Sequence, residues 1–178
     1  MISNKYFFSI IFLYYLSIIY AREIFIGNND TSFIKLNEIL NNNHGDDLYL
    51  YFTDDYYEMK LLGNIQADVE MKKIMIIGSK NGTVFDYKDS DKGTFCFTLM
   101  KNMGTVITVQ NIIFENYLPP ILSSIKMFTL SAHIDNYQLI FDNCIFRNNG
   151  FMLIKIDGFY TKKTQDIPQV QFTNCIFL

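Results

Sequence analysis

The side chains able to carry acid–base or metal chemistry are few and scattered. The two histidines are His44, in Asn41-Asn-Asn-His-Gly45, and His133, in Ser131-Ala-His-Ile-Asp135. The three cysteines, Cys96, Cys144 and Cys175, form no C-x-x-C pair and lie far from either histidine, so the ligand spacing of a zinc site is missing. Adjacent acids occur at Asp46-Asp47 and Asp54-Asp55. Paired carboxylates are what glycoside hydrolysis uses, one to donate a proton and one to act as nucleophile or base. Arginine is confined to Arg22 and Arg147, the latter five residues after Asp142. The sequence has no glycine-rich phosphate loop, no Ser-His-Asp order and no acidic Ca²⁺ loop. Residue types and spacing yield no catalytic, cofactor-binding or metal-ligating set.

What the chain repeats is a phrase of strand character: Ile107-Thr-Val-Gln-Asn-Ile-Ile-Phe114, Leu139-Ile-Phe-Asp-Asn-Cys-Ile-Phe146 and Val170-Gln-Phe-Thr-Asn-Cys-Ile-Phe177. Aligned, these place Asn111, Asn143 and Asn174 in one column, Ile112, Cys144 and Cys175 in the next, and Phe114, Phe146 and Phe177 two places on, at spacings of 32 and 31 residues. A fixed period of that size signals stacked supersecondary units, and alternating β-branched and aromatic residues make the units strands. Strands without intervening helices bury their apolar side by stacking coil on coil, so an all-β solenoid is expected, with a β-sandwich as the alternative. Asparagine tolerates the left-handed backbone of a tight turn, and its amide can donate to one neighbour and accept from another when identical residues stack. The asparagine column is therefore expected to form a ladder, with Phe114, Phe146, Phe177, Cys144 and Cys175 as core columns beside it.

Other segments follow. Residues 1–21 combine Lys5, an apolar run from Tyr6 to Tyr20 and the small Ala21, the layout of a secretory signal peptide. Its removal discards one positive charge and takes the formal charge from −3 to −4. A mildly acidic chain with two arginines offers no nucleic-acid surface. Residues 22–45 hold a short strand and one helix over Thr31–Leu40, capped by Thr31 or Ser32, with Phe33, Ile34, Leu36, Ile39 and Leu40 on its apolar side. Residues 46–178 read as strands, including Leu48–Phe52, Lys60–Ile65, Lys73–Ile77 and Thr94–Thr98, and the last phrase stops in mid-coil, which suggests a truncated solenoid or self-association through that end. Asn29-Asp-Thr31 and Asn81-Gly-Thr83 are N-glycan acceptor sequences for a secreted eukaryotic protein.

The helix start, the Gly45-Asp-Asp-Leu-Tyr-Leu-Tyr strand, Tyr57-Glu58, Ile74-Met-Ile-Ile-Gly78 with Val84-Phe-Asp86, and the Asn-Cys-x-Phe repeats together resemble the opening of a right-handed parallel β-helix of the pectin-lyase-like superfamily. The resemblance implies a helix capping the first coil and coils of three short parallel strands about 4.8 Å apart. It also directs attention to acidic polysaccharides, yet the enzymes' motifs are missing. His44 and His133 sit in no Gly-His-Gly, and the acid pairs lie too near the amino terminus. Asp142 with Arg147 falls short of a lyase's Ca²⁺ and base set, and no glycine precedes Tyr57-Glu58 as an esterase-like motif needs. Cys144 and Cys175, stacked with parallel side chains, are expected as thiols, and Cys96 as an unpaired thiol that an oxidising compartment tolerates only when buried. The sequence therefore points to a secreted, non-catalytic β-helix that meets a polysaccharide or cell-surface glycan or is purely structural, needs no cofactor, and has Tyr49, Tyr51, Tyr56 and Tyr57 for stacking against sugars. The alternative is a polysaccharide-active, pectin lyase- or hydrolase-like enzyme or a truncated fragment of one.

Overall fold

A computed structural model describes residues 21–45, 47–120, 123–124, 126–150, 153–158 and 168–178. Apart from Ala21, the expected signal peptide lies outside them. Strand β1 (Ala21–Ile26) opens the structure, and two short helices, α1 (Thr31–Ile34) and α2 (Leu36–Asn41), follow. The first full coil holds β2 (Asp47–Phe52), β3 (Tyr56–Glu58) and β4 (Ile65–Asp68), and the second β5 (Lys73–Ile77), β6 (Thr83–Asp86) and β7 (Phe95–Leu99). The third holds β8 (Thr105–Gln110), β9 (Ile112–Glu115) and β10 (Phe128–Ala132), and the fourth β11 (Tyr137–Asp142), β12 (Ile145–Arg147) and β13 (Ile154–Gly158). β14 (Val170–Thr173) and β15 (Ile176–Phe177) begin a fifth.

The strands pair in parallel, coil on coil, into three sheets: A (β1-β2-β5-β8-β11-β14), B (β3-β6-β9-β12-β15) and C (β4-β7-β10-β13). This is a right-handed parallel β-solenoid of about five turns. A sandwich of antiparallel strands is excluded, because each strand's neighbour is its counterpart one coil away. Alternation sets the faces: in β2 and β8 every second side chain is buried and the next is half-buried. In-register stacking then builds apolar rows, such as Leu50–Ile76–Val109–Phe141–Phe172 in sheet A. Each fully buried side chain of this kind contributes about 2 kcal/mol.

The core stack runs through sheet B as Tyr57–Phe85–Phe114–Phe146–Phe177. Phe114 and Phe146 stack at 5.0 Å and Phe146 and Phe177 at 4.9 Å, but Phe85 meets Phe114 edge-on. Phe177 is 57% exposed, so there the stack is packed from one side only. Phe172, Ile176 and Leu178 are exposed with it.

The single helix expected over Thr31–Leu40 is instead two, because Lys35 leaves helical geometry at φ −91°, ψ 13°. The cap is Asp30, whose Oδ1 accepts from the Ser32 N–H at 3.2 Å, rather than Thr31 or Ser32. The break turns Ile34 outward, while Phe33, Leu36 and Leu40 stay buried. The strand expected over Lys60–Ile65 is a 3₁₀ turn at Met59–Leu61, with β4 starting only at Ile65.

Helix α2 also closes an open sheet edge. Among the described residues β4 has no strand on its outer side. The Asn37 side-chain oxygen accepts from the Gln66 N–H (2.7 Å), Asn41 Nδ2 donates to the Gln66 carbonyl (2.5 Å), and Asn41 Oδ1 accepts from the Asp68 N–H (3.3 Å). Two amides one helical turn apart thus stand in for a missing strand, and edge groups that would otherwise recruit another chain are satisfied.

Candidate functional site

The turns between sheets A and B hold the expected ladder asparagines. Asn111, Asn143 and Asn174 have φ of 58°, 52° and 54°. Asn143 Nδ2 donates to Asn111 Oδ1 at 2.8 Å. Asn174 repeats the backbone, but among the described residues its side chain makes no bond to Asn143. Cys144 is buried, its thiol against the Val109 carbonyl at 3.4 Å, and burial pushes it up to about 12. Cys175 and Cys96 are half-buried, and all three cysteines are free thiols. Cys96 is thus not enclosed in the core: it lies in β7 between the buried Phe95 and Phe97 and turns to the outer face of sheet C.

A second column, at the corner after sheet B, went unnoticed in the sequence. Asn148 Nδ2 donates to Asn116 Oδ1 (2.6 Å), and Asn116 Nδ2 donates to Asp86 Oδ1 (2.9 Å). Lys88 Nζ and the Tyr56 hydroxyl both meet Asp86 Oδ2 at 2.8 Å, and the Lys88 N–H donates to Oδ1 at 2.9 Å. Burial alone would raise the Asp86 carboxyl, but these donors outweigh it and hold it at about 2. A carboxyl so low stays ionised near neutrality and has no proton to give. One coil on, Glu115 takes Arg147 through both Nε (2.6 Å) and Nη2 (2.5 Å).

The candidate catalytic groups are not brought together. Arg147 is committed to Glu115, and Asp142 accepts from Gln110 Nε2 at 3.1 Å. Asp54 accepts from the Asn28 N–H at 2.6 Å, while Asp46 lies outside the described residues. His44 lies 3.9 Å from Glu70, which also pairs with Lys101. His133 borders a shallow hollow of about 260 Å³ with Ser131 and Asp157, whose carboxylate is paired to Lys155 at 2.7 Å. Among the described residues no three of His, Cys, Asp and Glu are grouped to hold a metal.

Of the four tyrosines, Tyr57 belongs to the core: it is fully buried and its hydroxyl donates to the Ile26 carbonyl. Tyr56 is committed to Asp86. Tyr49 and Tyr51 lie on the outer face of sheet A, half-buried, and the structure adds Phe25 from β1, which is 61% exposed. Phe25 stacks on Tyr51 at 5.4 Å and 22°. Lys73 Nζ stands 5.1 Å from the Tyr49 ring centre. Partial burial and then Glu23, by charge and hydrogen bond, raise the Tyr51 phenol above its usual value.

Register extends this patch into two rows along the solenoid. One reads Glu23–Tyr49–Met75–Thr108–Ile140–Gln171 and the other Phe25–Tyr51–Ile77–Gln110–Asp142–Thr173. The face is aromatic at its first coils, aliphatic at Met75 and Ile77, and carries amides, hydroxyls and a carboxylate beyond. Exposed apolar patches rimmed by polar groups mark interaction surfaces. Among known proteins, no family model, no curated protein and no solved structure matches this chain.

Proposed function

We propose that this chain is a secreted, non-catalytic member of the pectin-lyase-like β-helices that holds a neutral polysaccharide against the outer face of sheet A. The observation that carries the reading is the strip of Phe25, Tyr49 and Tyr51 with polar rows continuing from it in register. A sugar ring has apolar C–H faces and a hydroxyl rim, which suits aromatic side chains next to carboxylate, amide and ammonium groups. The parallel sheet repeats such groups at steps of about 4.8 Å, a lattice that suits a repeating polymer better than a compact ligand. Charge selects among polymers: Glu23, Asp47 and Asp142 face outward with one lysine, Lys73, so a polyanion such as polygalacturonate is repelled. The apolar signal layout of residues 1–21 supports the extracellular address.

The test is affinity electrophoresis of the secreted protein in gels containing cellulose derivatives, xylan, mannan or polygalacturonate. Retardation is expected in at least one neutral gel and not in polygalacturonate. Tyr49→Ala and Tyr51→Ala should each weaken retention about tenfold, the effect of losing one stacked ring. Equal migration in all gels, or release of reducing or unsaturated ends from any of the polymers, overturns the reading.

A further inference from the structure

The two Asn-x-Thr sequences begin at Asn29 and Asn81, far apart in the chain. The fold places both on one corner, where the chain turns out of sheet A. Three successive turns stack there: residues 27–30 after β1, 53–55 after β2 and 78–82 after β5. The stacking is bonded. Asp54 Oδ2 accepts from the Asn28 N–H (2.6 Å), the Asp54 carbonyl accepts from Thr83 Oγ1 (3.2 Å), and the Asp55 carbonyl accepts from the Val84 N–H (2.8 Å).

Asn29 and Asn81 are both exposed, and among the described residues neither side-chain amide makes a hydrogen bond. Other asparagines of this chain spend theirs on structure: Asn37 and Asn41 on the β4 edge, Asn143 and Asn148 in columns, Asn149 on the Phe114 carbonyl and the Tyr117 N–H. Asn29 and Asn81, which head the acceptor sequences, are among those with no such bond, together with Asn28, Asn42, Asn102 and Asn174 among the described residues.

We propose that Asn29 and Asn81 both carry N-linked glycans, forming a paired sugar post on this corner. Two coils separate them, so the attachment points stand about 10 Å apart. In the transfer, Asn Nδ2 attacks the anomeric carbon of a lipid-pyrophosphate-linked oligosaccharide. The C–N bond forms as the bond from that carbon to the phosphate oxygen breaks; the lipid pyrophosphate leaves with the electron pair, and the amide nitrogen gives up one proton.

The finished corner also orders the events. Thr83, whose hydroxyl the acceptor sequence requires, is fully buried between Asp54 and the Ser79 N–H, whereas Thr31 is exposed. Asn81 must therefore be modified before its coil closes on β2, while Asn29 stays accessible afterwards. Phe25, Tyr51 and Ile77 precede these turns by one or two residues, so the glycans flank one long side of the aromatic strip and leave its other side open. The inference shares only the secretory route with the proposed function.

The experiment expresses the full chain, with its own amino-terminal segment, in a eukaryotic secretory host and records intact mass before and after an amide-cleaving N-glycanase. Wild type should lose two glycans, Asn29→Gln and Asn81→Gln one each, and the double variant none. One glycan or none on the wild-type chain, in medium or in lysate, overturns the proposal. Retention of an unglycosylated chain by a neutral polysaccharide would leave the proposed function standing and refute only this inference.

Discussion

Replacing Asp86 by Asn keeps the size of the side chain and removes its charge, which makes the corner column open to a quantitative test. The carboxylate is 4% exposed and receives Lys88 Nζ, the Tyr56 hydroxyl, Asn116 Nδ2 and the Lys88 N–H. In the folded chain it titrates at about 2, against 3.8 for an unstructured aspartate. At 1.36 kcal/mol per tenfold change in proton affinity, this gap stabilises the folded state by about 2 kcal/mol at neutral pH. Because the folded value is the lower one, the stabilisation is complete above pH ~4 and disappears as pH falls towards 2. Wild type should therefore exceed Asp86→Asn by about 2 kcal/mol at pH 7, with the difference shrinking below pH 4 and nearly gone at pH 2. The chain has no tryptophan, so urea unfolding is best followed by far-ultraviolet circular dichroism. A difference that is the same at pH 7 and pH 2.5 would refute the assignment of this stability to the ionised carboxylate.

Three further outcomes are expected. Asn143→Gly removes only the 2.8 Å rung to Asn111 and should cost about 1 kcal/mol, whereas Asn143→Ala also forces a Cβ into φ 52° and should cost about 2 kcal/mol; equal losses in thermal unfolding would show that the backbone conformation is not at stake. Tyr87 carries a buried hydroxyl with no partner among the described residues, so Tyr87→Phe should raise stability by about 1 kcal/mol, and a loss would reveal a partner for that oxygen. With its thiol pushed up to about 12 by burial, Cys144 should resist alkylation at pH 8 in the native protein while the half-buried Cys96 and Cys175 react, as mass mapping would show; labelling of Cys144 at their rate would contradict its place in the core.

The parts of this structure legible in the sequence are those in which adjacent coils use the same residue for the same task. Asn111, Asn143 and Asn174 all occupy a left-handed turn position, so identical chemistry left identical letters at a constant interval. The second column escaped notice although Asn116 and Asn148 have the same spacing, because its first member is Asp86 and the neighbours differ, Glu-Asn-Tyr against Arg-Asn-Asn. Tyr57 could not be told from Tyr56 because β3 is three residues long, too short for a period of two to reveal which side is buried. Tyr49 and Tyr51 alternate visibly with leucines, but their partner Phe25 comes from a strand a whole helix earlier, and only register unites them. The break at Lys35 and the strand-like use of Asn37 and Asn41 depend on how the helix meets β4, a tertiary matter that helix propensity does not encode.

The corner column has a direction. In both of its rungs the nitrogen belongs to the later coil and the oxygen to the earlier one, so the amide dipoles add along the solenoid with their positive ends towards the amino terminus. Asp86 stands at that end with a full negative charge, as an acid does at the start of an α-helix. An asparagine in the middle of such a stack must be given an acceptor before it and a donor after it. Any further asparagine can prolong the stack, but its first member need only accept, and an ionised carboxylate is the side chain that does nothing else. A run of asparagines at coil spacing, preceded one coil earlier by an aspartate, thus marks where such a stack begins as well as that it exists.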